Sequence, residues 1–282
     1  MNSQHIPIIK PFIAKETAFI ADLHGDHFNA IKYDLRPWND APTMWADLVK
    51  NWRRVVEPHW TVYALGDLFV STDRDIVLDR LKELTGNIKL IPGNHDEALV
   101  DFLSGKLGRR GSSGAKLYWE GGTLELMPPL FELRGPGIPQ PIWMCHYALE
   151  IWHHANKGVW HLHGHTHPKL DHLREPFDPN VSYLERQRLI NPLRMRPHRL
   201  NLCMGMLHAG QPAHKWAPQT WAQIVALMHE HQRSIVTGAL NDQATLYGVA
   251  SPSFPNDAEI ERRYQDAESC LPPLNDEGGE SA

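Results

Sequence analysis

Five short apolar segments in this chain each run directly into side chains that can bind a metal ion. We predict these segments to be β-strands, at Thr17–Ala21, Thr61–Leu65, Ile88–Ile91, Pro141–Cys145 and Val159–His163. Longer amphipathic stretches alternate with them, which is typical of an α/β protein. Open α/β sheets place their sites beyond the carboxyl ends of their strands. The pattern therefore predicts that five polar strand ends converge on one region.

The segments between the strands predict the remaining elements. Apolar residues at helical spacing indicate an amphipathic helix over Thr43–Val56, with its tryptophans in the core, and a second helix over Asp75–Leu84. Ser104–Gly114 is rich in glycine, serine and basic residues, and we expect a mobile loop there. Lys116–Leu133 is predicted to be β-rich, with a turn at Gly121-Gly122.

The strand ends carry aspartate, asparagine and histidine in a defined order. Along the chain they read Asp22-Leu23-His24, Gly66-Asp67, Gly93-Asn94-His95-Asp96, His146-Tyr147 and Gly164-His165-Thr166-His167. Each motif alone is weakly or moderately specific, but all five in this order, each after an apolar run, indicate a metal site. The glycines at 66, 93 and 164 are expected to let the backbone turn sharply.

Four histidines alternate along the last of these segments, at positions 161, 163, 165 and 167. Alternation along a strand places them on one face. Histidine is the commonest metal ligand among side chains, yet a neutral imidazole also tolerates partial burial. The spacing alone leaves both readings open.

Taken together, the five motifs resemble those of the calcineurin-like metallophosphoesterase superfamily, over roughly residues 17–228. A closer resemblance is to small bacterial and phage phosphoesterases, through Asp22-x-His24-x-x-His27-x-Asn29 followed by Arg36-Pro37-Trp38. The resemblance implies an α/β fold, a four-layer αββα sandwich of two mixed β-sheets. It also implies a hydrolase that acts on phosphoester bonds.

The resemblance further implies two divalent metal ions and their ligands. One ion would be held by Asp22, His24, Asp67 and His167, and the other by Asp67, Asn94, His146 and His165. The two carboxylate oxygens of Asp67 allow it to bridge. Mixed oxygen and nitrogen ligands suit Mn²⁺, our first choice, and also Fe, Zn²⁺, Ni²⁺ or Mg²⁺.

The same resemblance assigns catalytic roles. His95, which is not a ligand, would protonate the leaving-group oxygen, and Asp96 would orient and charge its ring. His27, Asn29 and Tyr147 are candidates for contacting the substrate, with simple loop packing as the alternative for each.

For other residues near the motifs we expect a structural role, or we leave two alternatives open. We expect His163 to bond a ligand or a backbone carbonyl, His161 to be structural and Cys145 to be an inert core thiol. Arg36 and the arginines of the irregular stretch Asp171–Arg199 could hold a substrate phosphate or remain solvated charges.

Bulk properties set limits on domains and partners. The 282 residues carry a net charge of −5, which disfavours extended nucleic-acid binding, and no apolar run is long enough for a membrane span. We predict a catalytic domain over 1–250 and a disordered acidic tail over 251–282. Three scattered cysteines and the absence of a signal-peptide pattern predict a cytoplasmic protein, whose oligomeric state the sequence leaves open.

Three functions are compatible with these motifs. The first is a phosphoesterase that acts on phosphorylated small molecules or nucleotides, as a mono- or diesterase. The second keeps the same site but acts on nucleic acid as a nuclease, and the acidic net charge disfavours it. The third is a non-catalytic scaffold, which the intact set of motifs disfavours. We favour the first.

Overall fold

The computed structural model describes residues 12–106, 114–135, 138, 140–168 and 198–246, with the backbone alone at 106 and 234–246. The strands are β1 (Thr17–Ile20), β2 (Thr61–Ala64), β3 (Gly86–Leu90), β4 (Lys116–Trp119), β5 (Gly122–Leu126), β6 (Leu130–Leu133), β7 (Ile142–Cys145), β8 (Trp160–His163), β9 (Arg199–Asn201) and β10 (Gln219–Thr220). The helices are α1 (Phe28–Tyr33), α2 (Ala41–Val55), α3 (Arg74–Lys82), α4 (Glu97–Lys106), α5 (Met204–His208) and α6 (Trp221–Leu246).

These strands form two mixed sheets flanked by helices, which confirms the predicted fold class. The six-stranded sheet has the order β10-β1-β2-β3-β5-β4, with β1, β2, β3 and β5 parallel. The four-stranded sheet has the order β6-β7-β8-β9, with β7, β8 and β9 parallel. All five predicted strands are present, each within two residues of its predicted bounds.

Alternate residues of the central strands face two different cores, as the period of a β-strand requires. Ile20 and Ala64 pack towards α2, α3 and α4. Phe19 and Tyr63 pack towards the four-stranded sheet, where the ring centroid of Tyr63 lies 6.0 Å from that of Phe131. Because both faces are buried, these strands read as continuous apolar runs.

Helix α2 confirms the predicted core role of its tryptophans. The Asp40 carboxylate caps the helix by accepting a hydrogen bond of 2.7 Å from the backbone N–H of Thr43. Trp45 and Trp52 are buried on the face towards the sheet, and the indole N–H of Trp52 donates to the carbonyl of Thr85. The helix thus fixes the outer side of the strands that carry the site.

The structure corrects two predictions about irregular segments. Helix α4 continues through the first three residues of the predicted loop Ser104–Gly114, because Leu103 is buried one helical turn after Leu99. Arg199, predicted at the end of an irregular stretch, lies in β9. The rest of that stretch and the predicted tail, 251–282, fall outside the described residues. None of the described helices has the length and apolar character needed to cross a membrane.

Candidate metal centre

The carboxyl ends of strands from both sheets meet at one edge of the sandwich. An isolated parallel bridge between Ala21 and Cys203 joins the end of β1 to the end of β9. The backbone N–H of His165, after β8, donates to both carboxylate oxygens of Asp22 at 3.1 and 3.0 Å. The N–H of Asp22 in turn donates to the carbonyl of Gly66, after β2. These bonds bring the predicted ligands from the two sheets together.

The first group of possible ligands consists of Asp22, His24 and His167. The Nε2 atoms of His24 and His167 lie 2.9 Å apart, and that of His167 lies 3.4 Å from Asp22 Oδ1. Two neutral imidazoles satisfy such a contact only if one of them donates. Metal–nitrogen bonds of about 2.1 Å place neighbouring ligand atoms roughly 3 Å apart, so the converging atoms fit a shared cation.

The second group consists of Asp67, His146 and His165, whose candidate ligand atoms lie within 4.8 Å of one another. His146 Nε2 lies 3.4 Å from Asp67 Oδ2 and 3.2 Å from Asn94 Oδ1. The amide oxygen of Asn94 therefore extends this group to the four residues predicted for it.

Asp67 lies between the two groups. Its Oδ2 atom is 3.4 Å from His146 Nε2 in the second group and 3.9 Å from His24 Nε2 in the first. Its Oδ1 atom accepts a hydrogen bond of 2.8 Å from the backbone N–H of His95. The carboxylate is thus fixed in a position from which it could contact an ion in either group, and the donor set fits two divalent cations.

Four of these ligand residues have a strained backbone conformation. The φ angles are positive at Asp22 (56°), His24 (51°), Asp67 (57°) and His165 (67°). This left-handed conformation is uncommon outside glycine, and strained residues of this kind cluster at functional sites, where they cost about 1–3 kcal/mol each. The cross-links between the loops hold these residues there.

The glycines at 66, 93 and 164 allow ligand side chains to approach the backbone closely, and only one of them provides a left-handed turn. Only Gly66 has a positive φ, of 86°, so the prediction of a sharp turn holds for it alone. A Cβ atom on Gly93 would collide with the Asp67 carboxylate, and one on Gly164 with the Asp22 carboxylate. The absence of a side chain therefore lets two of the ligands pack directly on backbone.

We expect Gly164→Ala to displace Asp22 and to destabilise the fold by about 1–3 kcal/mol through overpacking. Chemical unfolding measures the stability, and metal analysis measures the displacement. Gly105→Ala is the matched control, since a Cβ there meets nothing within 4 Å and Gly105 lies within α4. Equal stability of the Gly164→Ala variant and the wild type would contradict the crowding argument.

Burial and neighbouring charge set the protonation of the ligands. Burial, then the charge of His167, holds the pKa of His24 well below its ordinary value. Burial also lowers the pKa of His146, but the Asp67 hydrogen bond and the Asp22 charge outweigh it and raise the value to about 9. The raised pKa favours a protonated His146 beside Asp67 in the metal-free protein, and a cation held by these two residues would have to displace that proton.

The imidazole rings of His146 and His167 are oriented by hydrogen bonds from the ring nitrogen that points away from the other ligands. The Nδ1 atom of His146 donates to the carbonyl of Leu65 at 2.7 Å, and that of His167 donates to Asp34 Oδ1 at 2.8 Å. Donation from Nδ1 leaves the Nε2 lone pair directed at the site, which is the usual support of a metal-binding histidine. His24 differs, because its buried Nδ1 has no hydrogen-bond partner among the described residues.

A comparison with known protein families agrees with this site. Residues 16–205 match the model of a family described as calcineurin-like phosphoesterase. The chain belongs to this family. The match confirms the resemblance on which the motif assignments rest, and it spans every strand-end motif of the calcineurin-like phosphoesterase described above.

Two individual proteins are similar to parts of this chain. The uncharacterized protein MJ1445 of Methanocaldococcus jannaschii is 43% identical over 79 residues, which are 28% of this chain and 45% of that protein. The match thus spans less than half of the relative's length. The crystal structure of the protein of unknown function AQ665 from Aquifex aeolicus shares 20% identity, with a TM-score of 0.46, over 75% of this chain and 98% of that one.

The predicted general acid of this phosphoesterase, His95, lies beside the first ligand group. Its exposed ring has its centroid 5.5 Å from that of His24 and 6.5 Å from that of His27. It belongs to neither ligand group. The His95 ring is thus exposed beside the ligands without being one of them.

Asp96 occupies a different position from the one predicted for it. Its carboxylate accepts hydrogen bonds from the backbone N–H groups of Asp67 at 2.7 Å, Gly93 at 2.8 Å and Leu68 at 3.0 Å. No described hydrogen bond joins it to the ring of His95. Burial raises the pKa of Asp96 to about 6, although the Gly93 N–H works against this shift. Asp96 therefore ties the loops after β2 and β3 together.

Two of the three predicted substrate contacts, His27 and Tyr147, lie beside the ligand groups. His27 is half-buried and lies directly before α1, with its ring centroid 5.4 Å from that of His24. Tyr147 is 46% exposed, and its ring lies edge-on to His165 at 4.7 Å. Asn29 is exposed on α1, and no contact to either ligand group is described for it.

The alternating histidines divide into two pairs. His165 and His167 belong to the ligand groups, whereas His161 and His163 are buried in β8. His161 donates to the Trp143 carbonyl and accepts from the Leu149 N–H, and burial lowers its pKa to about 4. His163 Nδ1 donates to the Gly164 carbonyl, as predicted for a supporting role.

Both earlier interpretations of Arg36 are wrong. Its side chain is fully buried and forms an ion pair with Asp34, so it is neither solvated nor open to a substrate. Asp34 itself was not predicted to take part in the site. Burial works to raise the pKa of Asp34, but the hydrogen bond from His167 and the charge of Arg36 hold it below its ordinary value. In the sequence, only the spacing of two opposite charges two residues apart hints at this pair.

Proposed function

We propose that this protein hydrolyses phosphate esters of small molecules or nucleotides and that it uses two divalent metal ions to do so. The observation that carries the proposal is the position of Asp67 Oδ2, within 3.9 Å of a ligand nitrogen in each of two histidine-containing groups. A carboxylate shared in this way is the arrangement expected at a two-metal phosphoesterase site.

The ligands proposed for the first ion are Asp22, His24, Asp67 and His167, and those for the second are Asp67, Asn94, His146 and His165. Mn²⁺ is our first choice among divalent ions. When bound, two such ions supply positive charge for the phosphoryl group and make water a competent nucleophile at neutral pH.

Other side chains would then handle the substrate. The exposed imidazole of His95 would deliver a proton to the leaving-group oxygen, which is the usual task of a positioned histidine in hydrolysis. His27 and Tyr147 lie beside the ligand groups, and with Asn29 on α1 they would contact the remainder of the substrate. Asp96 holds the loops that carry Asp67 and His95, so it acts on both.

The substrate class follows from charge. With a net charge of −5, the protein offers no overall attraction for a polyanion, which favours small phosphoesters over long nucleic acids. The buried free thiols of Cys145 and Cys203 support a cytoplasmic location for the proposed enzyme.

Removal of metal is expected to abolish hydrolysis of an aryl phosphate, and added Mn²⁺ is expected to restore it, because the described site offers no nucleophile of its own next to His95. The measurement is the initial rate for an aryl monoester, an aryl diester, a cyclic nucleotide and single-stranded DNA, before chelation, after it and after reconstitution. Full activity in protein shown by metal analysis to be empty would contradict the proposal. Preference for the DNA would favour the nuclease alternative.

A further inference from the structure

The Asp34–Arg36 pair is a buried pair of opposite charges that lies outside the ligand groups. Both side chains are fully buried, and Arg36 donates to Asp34 Oδ2 from Nη2 at 3.0 Å and from Nε at 3.2 Å. Replacing such buried ion pairs by apolar residues is often neutral for stability, because desolvation offsets the attraction. Stability alone therefore does not account for the pair.

The remaining donors and acceptors of the Asp34–Arg36 pair reach the first ligand group from two directions. Asp34 Oδ1 accepts from the Nδ1 atom of His167, which follows β8 in the four-stranded sheet. Arg36 donates from Nη1 to the carbonyl of Leu23 at 2.8 Å and from Nη2 to that of Asp22 at 3.1 Å, and these residues follow β1 in the six-stranded sheet. The pair connects ligand-bearing loops of both sheets.

The backbone that presents the Asp34–Arg36 pair is itself strained. Helix α1 ends with a hydrogen bond from the N–H of Arg36 to the carbonyl of Ile31, and Leu35 between the pair has a φ of 49°. Helices commonly end on a left-handed residue of this kind, but glycine usually occupies the position. A leucine here bears a conformational cost, which the inward contacts of its two neighbours offset.

We infer that the Asp34–Arg36 pair positions His167 and the Asp22 loop so that the first ligand group binds its metal ion. Asp34 fixes the tautomer and angle of the His167 ring, and Arg36 holds the backbone on which Asp22 and His24 sit. The second ligand group receives neither contact. The inference rests on the proposed function only in taking the two ligand groups as metal sites.

The test is Mn²⁺ binding to the metal-free full-length protein, followed by calorimetry and by metal analysis after dialysis. We expect Asp34→Asn to weaken one of two bound ions by about 10–100-fold, the usual effect of losing a supporting carboxylate, and to leave the other unchanged. Arg36→Lys keeps the charge but loses the fork of donors, so we expect an intermediate loss at the same ion.

Thermal unfolding of the metal-free variants separates positioning from folding. Asp34→Asn leaves Arg36 without its buried partner and could unfold the chain. The double variant Asp34→Asn/Arg36→Gln removes both buried charges. We expect it to fold and to show the same weakened binding of one ion. The matched control is Asp26→Asn, because Asp26 lies two residues after His24 and forms a similar forked pair with Arg80, at 2.8 and 3.2 Å, which contacts no ligand. We expect it to bind both ions as the wild type does.

The inference would be overturned if the folded Asp34→Asn and double variants bound both ions as the wild type does. It would also be overturned if both ions were weakened equally and the unfolding midpoint of the metal-free protein fell. Wild-type protein that binds two ions yet hydrolyses no phosphoester would remove the proposed function, and the selective loss in Asp34→Asn would still support the inference. Wild-type protein that binds no Mn²⁺ would remove both.

Discussion

Asp67→Asn is expected to remove both metal ions together and to abolish phosphoester hydrolysis. Asparagine keeps an oxygen that can accept the His95 N–H, so the loop after β2 retains that bond. It replaces the charged Oδ2 that lies within reach of His24 and His146 by a neutral group. Because the same oxygen lies within 3.9 Å of a ligand nitrogen in each group, we expect the loss at one group to accompany the loss at the other.

Asp22→Asn is the matched control for Asp67→Asn. It also replaces one buried carboxylate by an amide in the same centre, but Asp22 belongs to the first ligand group alone. We expect metal analysis after dialysis to find about two ions per chain in the wild type, one in Asp22→Asn and none in Asp67→Asn. One ion retained in Asp67→Asn would show that the carboxylate is not shared.

The strands, and the meeting of the polar side chains at their ends, were predictable because both rest on local patterns, whereas the assignment of ligands to two ions comes from the family resemblance. A strand buried on both faces must be apolar along its length, and parallel strands bring their carboxyl ends to one edge. Asp22, Asp67 and His146 could therefore be placed near one another without knowledge of any contact. The parallel registers of β1 with β2 and of β7 with β8 place the ends of these strands side by side.

What could not be predicted depends on partners that are distant in sequence. The burial of Arg36 is set by carbonyls 13 and 14 residues earlier and by a carboxylate that also contacts His167. The family resemblance assigned the Asp96 carboxylate to the ring of His95. Three backbone N–H groups from two loops instead converge on its carboxylate, and such convergence leaves no periodic signal.

His95→Asn is expected to leave both metal ions bound and to slow hydrolysis of an alkyl phosphate by about 10²–10⁴-fold, the usual contribution of a positioned acid or base. The hydrogen bond from His95 to a ligand runs from its backbone N–H to Asp67, and asparagine keeps that N–H. The ring is exposed and belongs to neither ligand group, so we expect its loss to remove proton transfer and to spare the metal site. This variant therefore separates the acid from the metal site.

The leaving group decides whether the ring of His95 acts as a proton donor. An activated aryl phosphate expels a stable anion that needs no proton, so His95→Asn should slow it far less than the alkyl ester. His59→Asn is the control, since His59 is an exposed histidine just before β2, at the opposite end of the strand from Asp67. If His95→Asn slowed both esters equally, its ring would stabilise the phosphoryl group instead, and if metal were lost, the ring would support the ligands.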